Sequence, residues 1–198
     1  LTVVDNTAPI LSNVPANVTV SCDAIPAAVE GVTASDNCEL SNDIEITFSE
    51  KTIAGNCLGN YTIERTWTTN SGCGTGVSHT QIITVEDNEA PILAGIPASV
   101  EVPCGNIPAV AQPVATDNCD TDVEITFSET SVENGCGLIV TRTWIATDNC
   151  GNSVEASQTI TTSDDVDPIL VGVPTNTSLN CSATIPAAAN VTATDNCD

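Results

Sequence analysis

The chain has 198 residues, of which 26 are acidic and 3 basic, for a net charge of −23. So few cations exclude nucleic acid and anionic membrane surfaces as partners, because both need Lys and Arg to neutralise phosphate. The 41% hydrophobic content and the frequent Val, Ile and Thr exclude a disordered acidic tail and suit short strands.

Taken in order, Leu1 to Val4 matches Ile83 to Glu86, the last strand of a unit. Asp5-Asn6-Thr7-Ala8-Pro9-Ile10-Leu11 then opens a unit and recurs as Asp87-Asn88-Glu89-Ala90-Pro91-Ile92-Leu93. It recurs again as Asp164-Asp165-Val166-Asp167-Pro168-Ile169-Leu170. The first cysteines (Cys22, Cys104, Cys181) and second cysteines (Cys38, Cys119, Cys197) keep nearly the same spacing. Internal repetition at this period predicts tandem domains. Residues 1–4 end a preceding repeat, 5–86 form repeat 1, 87–163 repeat 2, and 164–198 the first half of repeat 3, so the chain reads as a window on a longer array. Apolar and polar residues alternate over Val18 to Cys22, Ile44 to Glu50, Tyr61 to Thr69 and Gln81 to Val85, with Pro-Ala and Gly-Asn clusters between. No stretch keeps a 3.6-residue period. This predicts an all-β chain of tandem immunoglobulin-like β-sandwich repeats of about 80 residues each.

The 10 cysteines come with no C-x-x-C pair and a lone histidine, His79. Disulfides formed in an oxidising, extracellular setting fit better than zinc. Cys57 and Cys73 flank a strand of nine extended residues, about 30 Å long, too far for a bridge. The same reasoning weakens Cys22–Cys38. If strands run alternately up and down, Cys22 and Cys57 share one end of a repeat and Cys38 and Cys73 the other. The expected bridges are therefore Cys22–Cys57, Cys38–Cys73, Cys104–Cys136 and Cys119–Cys150, with Cys181 and Cys197 left unpaired.

Four turns carry Asp-Asn-Cys, at Asp36, Asp117, Asp148 and Asp195. The up-and-down topology gathers Asp87, Asp117 and Asp148 at the junction of repeats 1 and 2. The counterparts at repeat 1 are Asp5 and Asp36, with Asn70 in the third position. At repeat 3 they are Asp164, Asp167 and Asp195. Two readings stay open. The side chains cap turns as Asx motifs, or they converge on Ca²⁺, which takes six to eight oxygens of this kind. Glu50 with Arg65, and Glu129 with Arg142, fall on apolar faces by alternation and are expected as ion pairs beside Trp67 and Trp144. Catalysis finds little support: a triad would need His79, and repeat 2 has Val154-Glu155-Ala156-Ser157 in that stretch.

Several motifs together resemble hyalin-repeat (HYR-like) domains. They are Val18-Thr19-Val20 after Pro15, Thr116-Asp117-Asn118, Ala146-Thr147-Asp148-Asn149-Cys150-Gly151-Asn152, and Val85-Glu86-Asp87 leading to Ala90-Pro91. The cysteine-bearing form is similar to tandem repeats of giant secreted surface proteins and adhesins of Bacteroidota, including gliding-motility adhesins. The resemblance implies an immunoglobulin-like fold, export to the cell surface, and a structural or adhesive role as stalk or filament. The partners implied are neighbouring repeats and other copies, with no membrane insertion and an external ligand left open. Repeat 1 departs from the pattern at Thr69-Asn70-Ser71-Gly72-Cys73. Two other functions remain open: a glycan- or protein-binding module, and a spacer attached to a distant secreted enzyme.

Overall fold

A computed structural model of the chain describes residues 4–38, 44–70, 76–135 and 137–197. Among these, every regular element is a strand. In repeat 1 they are β1 (Ile10–Ser12), β2 (Val18–Val20), β3 (Thr33–Ser35), β4 (Glu45–Cys57), β5 (Asn60–Asn70) and β6 (Ser78–Val85). Repeat 2 has β7 (Ile92–Ala94), β8 (Val100–Pro103), β9 (Val114–Thr116), β10 (Glu124–Asn134), β11 (Gly137–Thr147) and β12 (Ser153–Ser163). β13 (Ile169–Val171) and β14 (Thr192–Thr194) follow. The all-β repeat predicted from alternation is the architecture that the described residues adopt.

Each full repeat has one four-stranded and one two-stranded sheet. Their orders are β2-β6-β5-β4 with β1-β3, and β10-β11-β12-β8 with β7-β9. β5 shows why the residues choose this state. Ile63, Arg65, Trp67 and Thr69 are buried, while the alternate residues Glu64, Thr66 and Thr68 face outward, the period of two of a half-buried strand. β11 repeats it with Val140, Arg142, Trp144 and Ala146. Cross-strand partners lie in rows. Phe48 opposes Trp67, which opposes His79. Glu50 opposes Arg65, which opposes Gln81. Phe48 and Trp67 stack tilted at 5.3 Å, as do Phe127 and Trp144, a geometry that aromatic quadrupoles favour.

β2 runs parallel to β6, with Val18 against Ile83 and Val20 against Val85. β8 does the same against β12. Side-chain amides fasten the approach to these strands: Gln81 Nε2 donates to Ala16 O at 2.9 Å, and Gln158 Nε2 to Ala98 O at 3.0 Å. The chain after β2 then crosses the buried face of the sheet without strand structure. Ile25 packs on Ile63, Ile83 and Val85, and Arg65 Nη1 donates to Pro26 O at 2.8 Å. In repeat 2, Arg142 donates to Pro108 O and Ala109 O at 2.9 and 3.3 Å. The two arginines hold the second layer to the first.

The chain forms two compact units. One contains residues 1–92, 115–125 and 146–154, and the other residues 93–114, 126–145 and 155–198.

The disulfides correct the pairing expected from sequence. They join Cys22 to Cys119, Cys57 to Cys150 and Cys104 to Cys197. Cys22–Cys57, Cys104–Cys136 and Cys119–Cys150 therefore do not form, and Cys197 is bonded rather than unpaired. Strand order is the reason. Cys22 follows β2 and Cys57 ends β4, the opposite edges of one sheet. Three strand spacings of about 4.8 Å put about 14 Å between those edges, twice the Cα separation a bridge tolerates. β8 and β10 are opposite edges in repeat 2 in the same way. Cys22 and Cys57 instead meet turns of the following repeat. Cys73 lies outside the described residues, and with it the expected Cys38–Cys73 bridge. Cys181 is exposed and in no disulfide among the described residues.

Candidate functional site

The site forms in the first unit, where the end of repeat 1 meets the turns after β9 and β11. Its centre is Asp87, 4% exposed. The β4–β5 hairpin encloses it. Asn60 Oδ1 accepts the Asp87 backbone N–H at 2.7 Å, and Gly59 lies flat against the side chain. A Cβ at residue 59 would stand 2.5 Å from Asp87 Cβ and 2.8 Å from Oδ2, so only glycine fits there. Cys57, the last residue of β4 before the hairpin turn, is bonded to Cys150.

The turns facing this hairpin are closed by their own side chains. Asp117 Oδ1 accepts the N–H groups of Cys119 and Asp120 at 2.8 and 3.0 Å. Asp148 Oδ1 accepts those of Cys150 and Asn152, and its Oδ2 accepts Asn152 Nδ2. Asp120 ties the two turns together: its Oδ2 accepts both the backbone N–H and the Nδ2 of Asn149, at 2.8 and 2.6 Å. Across the joint, Asn152 Nδ2 donates to Asp87 O and Asn118 Nδ2 to Ser21 Oγ. The Asp-Asn-Cys motif thus has three tasks. At Asp117 and Asp148 the aspartate closes the turn, the asparagine reaches a neighbouring segment, and the cysteine forms a bridge.

Electrostatically the aspartates diverge. Burial raises the pKa of Asp87 above the usual carboxylate value, and the like charges of Asp117, Asp148 and Asp120 push the same way; the hydrogen bond from Glu89 opposes them. Asp120 is lowered, because the N–H of Asp122 and both donors of Asn149 favour its charged form over burial. Asp87 Oδ2 is buried without a hydrogen-bond partner. A buried carboxylate oxygen with no donor is costly.

The arrangement occurs three times among the described residues. Asp5 with Asp36 and Cys38, Asp87 with Asp117 and Cys119, and Asp164 with Asp195 and Cys197 each bring ligand atoms within 4.8 Å of one another. In every copy one oxygen of each aspartate caps a turn. Asp5, Asp87 and Asp164 take the N–H of Thr7, Glu89 and Val166. Asp36, Asp117 and Asp195 take that of their cysteine. The other oxygens of Asp5, Asp36, Asp87 and Asp195 are buried and unpartnered. Paired hard oxygens turned inward suit a divalent cation such as Ca²⁺. Cys119 and Cys197 are disulfide-bonded and offer no thiolate. Of the expected ligands, Asp148 uses both oxygens within its own turn, and Asp167 is exposed and outside the third group.

The ion pairs are present in both repeats. Arg65 Nε lies 2.7 Å from Glu50 Oε2, and Arg142 Nε 2.7 Å from Glu129 Oε2. Sequence reasoning missed Gly59, Asn60, Asp120 and Asn152. Asn152 has a local signal, an amide four residues after the turn aspartate. Gly59 and Asn60 meet Asp87, and Asp120 meets Asn149, each across segments distant in sequence.

Residues 93–162 match the family model described as an HYR-like domain with 4 cysteines. The four are Cys104, Cys119, Cys136 and Cys150, and the three among the described residues all bond outside the matched segment. No curated protein matches the chain. Among solved structures, one titled "Protocadherin gammaB7 EC3-6 cis-dimer structure" aligns at 16% identity and a TM-score of 0.33. The alignment covers 95% of this chain and 61% of that one.

Proposed function

We propose that the chain is a structural and adhesive segment of a long extracellular surface protein, built from repeats at 5–86, 87–163 and 164–198. One observation carries the reading: each bridge runs from the end of one repeat to a turn of the next. A domain that needed only internal stability would close its bridges on itself. Bridges between successive repeats restrain the joints and suit a stalk or filament. They also belong to an oxidising compartment, and the HYR-like match over 93–162 agrees with an exported repeat. Ca²⁺ held by the inward oxygens of Asp87 with Asp117, and by the equivalent pairs, stiffens the joints further. The buried, unpartnered Oδ2 of Asp87 supports this part of the reading.

A glycan-binding role has less support, because Trp67 and Trp144, the large rings that would stack on a sugar, are buried. Peptide mapping of the native protein, alkylated before any reduction, tests the proposal. The expected result is linked peptides for Cys22–Cys119, Cys57–Cys150 and Cys104–Cys197; alkylated thiols at those six positions would refute the extracellular array. Calorimetry with calcium and with chelator tests the joint cation, and an unchanged midpoint removes it from the reading.

A further inference from the structure

We infer that the bridges, rather than the folding free energy of the sheets, set how far this protein stretches under load. The inference rests on disulfide connectivity and on neither the adhesive role nor calcium.

Along the backbone, Val4 and Cys197 are separated by 193 residues (197 − 4). Fully drawn out, that stretch spans about 680 Å. A covalent short cut exists. It runs from Val4 to Cys22, crosses to Cys119, returns along the chain to Cys104, and crosses to Cys197. It contains 18 residues (22 − 4) and then 15 (119 − 104), with Cα–Cα steps of 5.7 and 5.3 Å at the bridges. Its full length is about 130 Å. Tension beyond that length falls on covalent bonds whether or not the sheets are folded. A repeat of this size without such bridges would release on the order of 280 Å on unfolding.

The segment that bears the load is 104–119. It leaves β8, crosses the sheet without strand structure and enters β9. Force passes through it from C to N, opposite to the chain direction. Arg142 anchors it midway through the carbonyls of Pro108 and Ala109. Arg65 holds the equivalent segment of repeat 1 at Pro26. In a longer array built the same way, each further repeat adds one such segment of about 15 residues to the load path instead of its whole length. Such a thread lets individual domains melt and refold under tension without growing long, so what it carries stays near its anchor. A reductant removes the limit.

Single-molecule stretching of the whole chain, with handles just outside residues 4 and 197, tests this directly. The oxidised protein should stiffen at about 130 Å of contour and show no step of whole-repeat size, whereas with dithiothreitol the limit should rise about fivefold. In non-reducing buffer, Cys22→Ser/Cys119→Ser should lengthen the limit by about 230 Å, because the shortest covalent route then contains 100 residues (104 − 4) before it crosses to Cys197. A wild-type oxidised chain that passes about 300 Å, or that gives the same limit with and without reductant, overturns the inference.

Discussion

The junctions at Asp87 and at Asp164 place an aspartate in equivalent turns and end differently. Both aspartates cap the residue two positions on, and both face the aspartate of an Asp-Asn-Cys turn. Yet Asp87 is buried and Asp164 exposed. Besides the turn after β11, which reaches Asp87 through Asn152, the β4–β5 hairpin stands against Asp87. It brings Asn60 to the Asp87 N–H and Gly59 to its side chain, and Cys57 bonds it to Cys150. At the corresponding place repeat 2 has Gly137, with no side chain to offer. A Cβ there would strike Thr162 O. The small sheets carry the same contrast. β1-β3 and β13-β14 share one register, but Ala34 is buried while its counterpart Ala193 is exposed. An acidic turn or a three-residue strand pair is the same object wherever it recurs. What lies over it decides whether it becomes a buried charge or an exposed surface.

The largest way to break the contrast is to open the hairpin. Cys57→Ser/Cys150→Ser removes a bridge spanning 93 residues and should cost the first unit about 2–5 kcal/mol, read as a lower denaturation midpoint without reductant. An unchanged midpoint would mean the bridge restrains nothing. Next, Gly59→Ala drives a methyl into Asp87 and should cost about 1–3 kcal/mol. Amide exchange should speed up at Asp87 and Glu89 while remaining unchanged in β10 and β11.

Asp87→Asn acts with opposite signs in two conditions. In chelator it removes an unpartnered buried charge and should stabilise the first unit by about 1 kcal/mol; in calcium it removes a ligand and should lower the midpoint. Asp164→Asn, on an exposed group, should do little in chelator. The pH dependence follows the same logic. The pKa of Asp87 is raised on folding, so its contribution is most favourable below the unfolded value of 3.8 and is lost as pH rises through the folded value. That of Asp120 is lowered, so its contribution is present above 3.8 and lost as pH falls through the depressed value. In chelator, the wild type should therefore gain stability relative to Asp87→Asn as pH falls from neutral, and parallel profiles would show that Asp87 is not the titrating group.

The smallest effect lies where the repeats agree. Glu50 and Glu129 are 43% and 41% exposed at their side chains, so Glu50→Gln and Glu129→Gln should each cost under about 1 kcal/mol. The two costs should match. A large difference between them would show that the repeats do not share one interior.

Much of this protein was legible in its residues. Alternation over Tyr61 to Thr69 specifies which face of β5 is buried, because side chains on a strand point to opposite sides whatever surrounds it. It also puts Arg65 and Glu50 on one face, where a charge among apolar side chains needs its partner. The Asp-Asn-Cys turns close through bonds spanning two residues, so their Asx character is local too. The tertiary structure decided the disulfides and the fate of Asp87. Which strands sit at the two edges of a sheet is a property of strand order, which no stretch of ten residues encodes. Once β2 and β4 are opposite edges, Cys22 and Cys57 are too far apart for each other and within reach of the next repeat. Burial of Asp87 likewise comes from a hairpin about thirty residues earlier in the chain, so its raised pKa and its unpartnered oxygen exist only in the assembled joint.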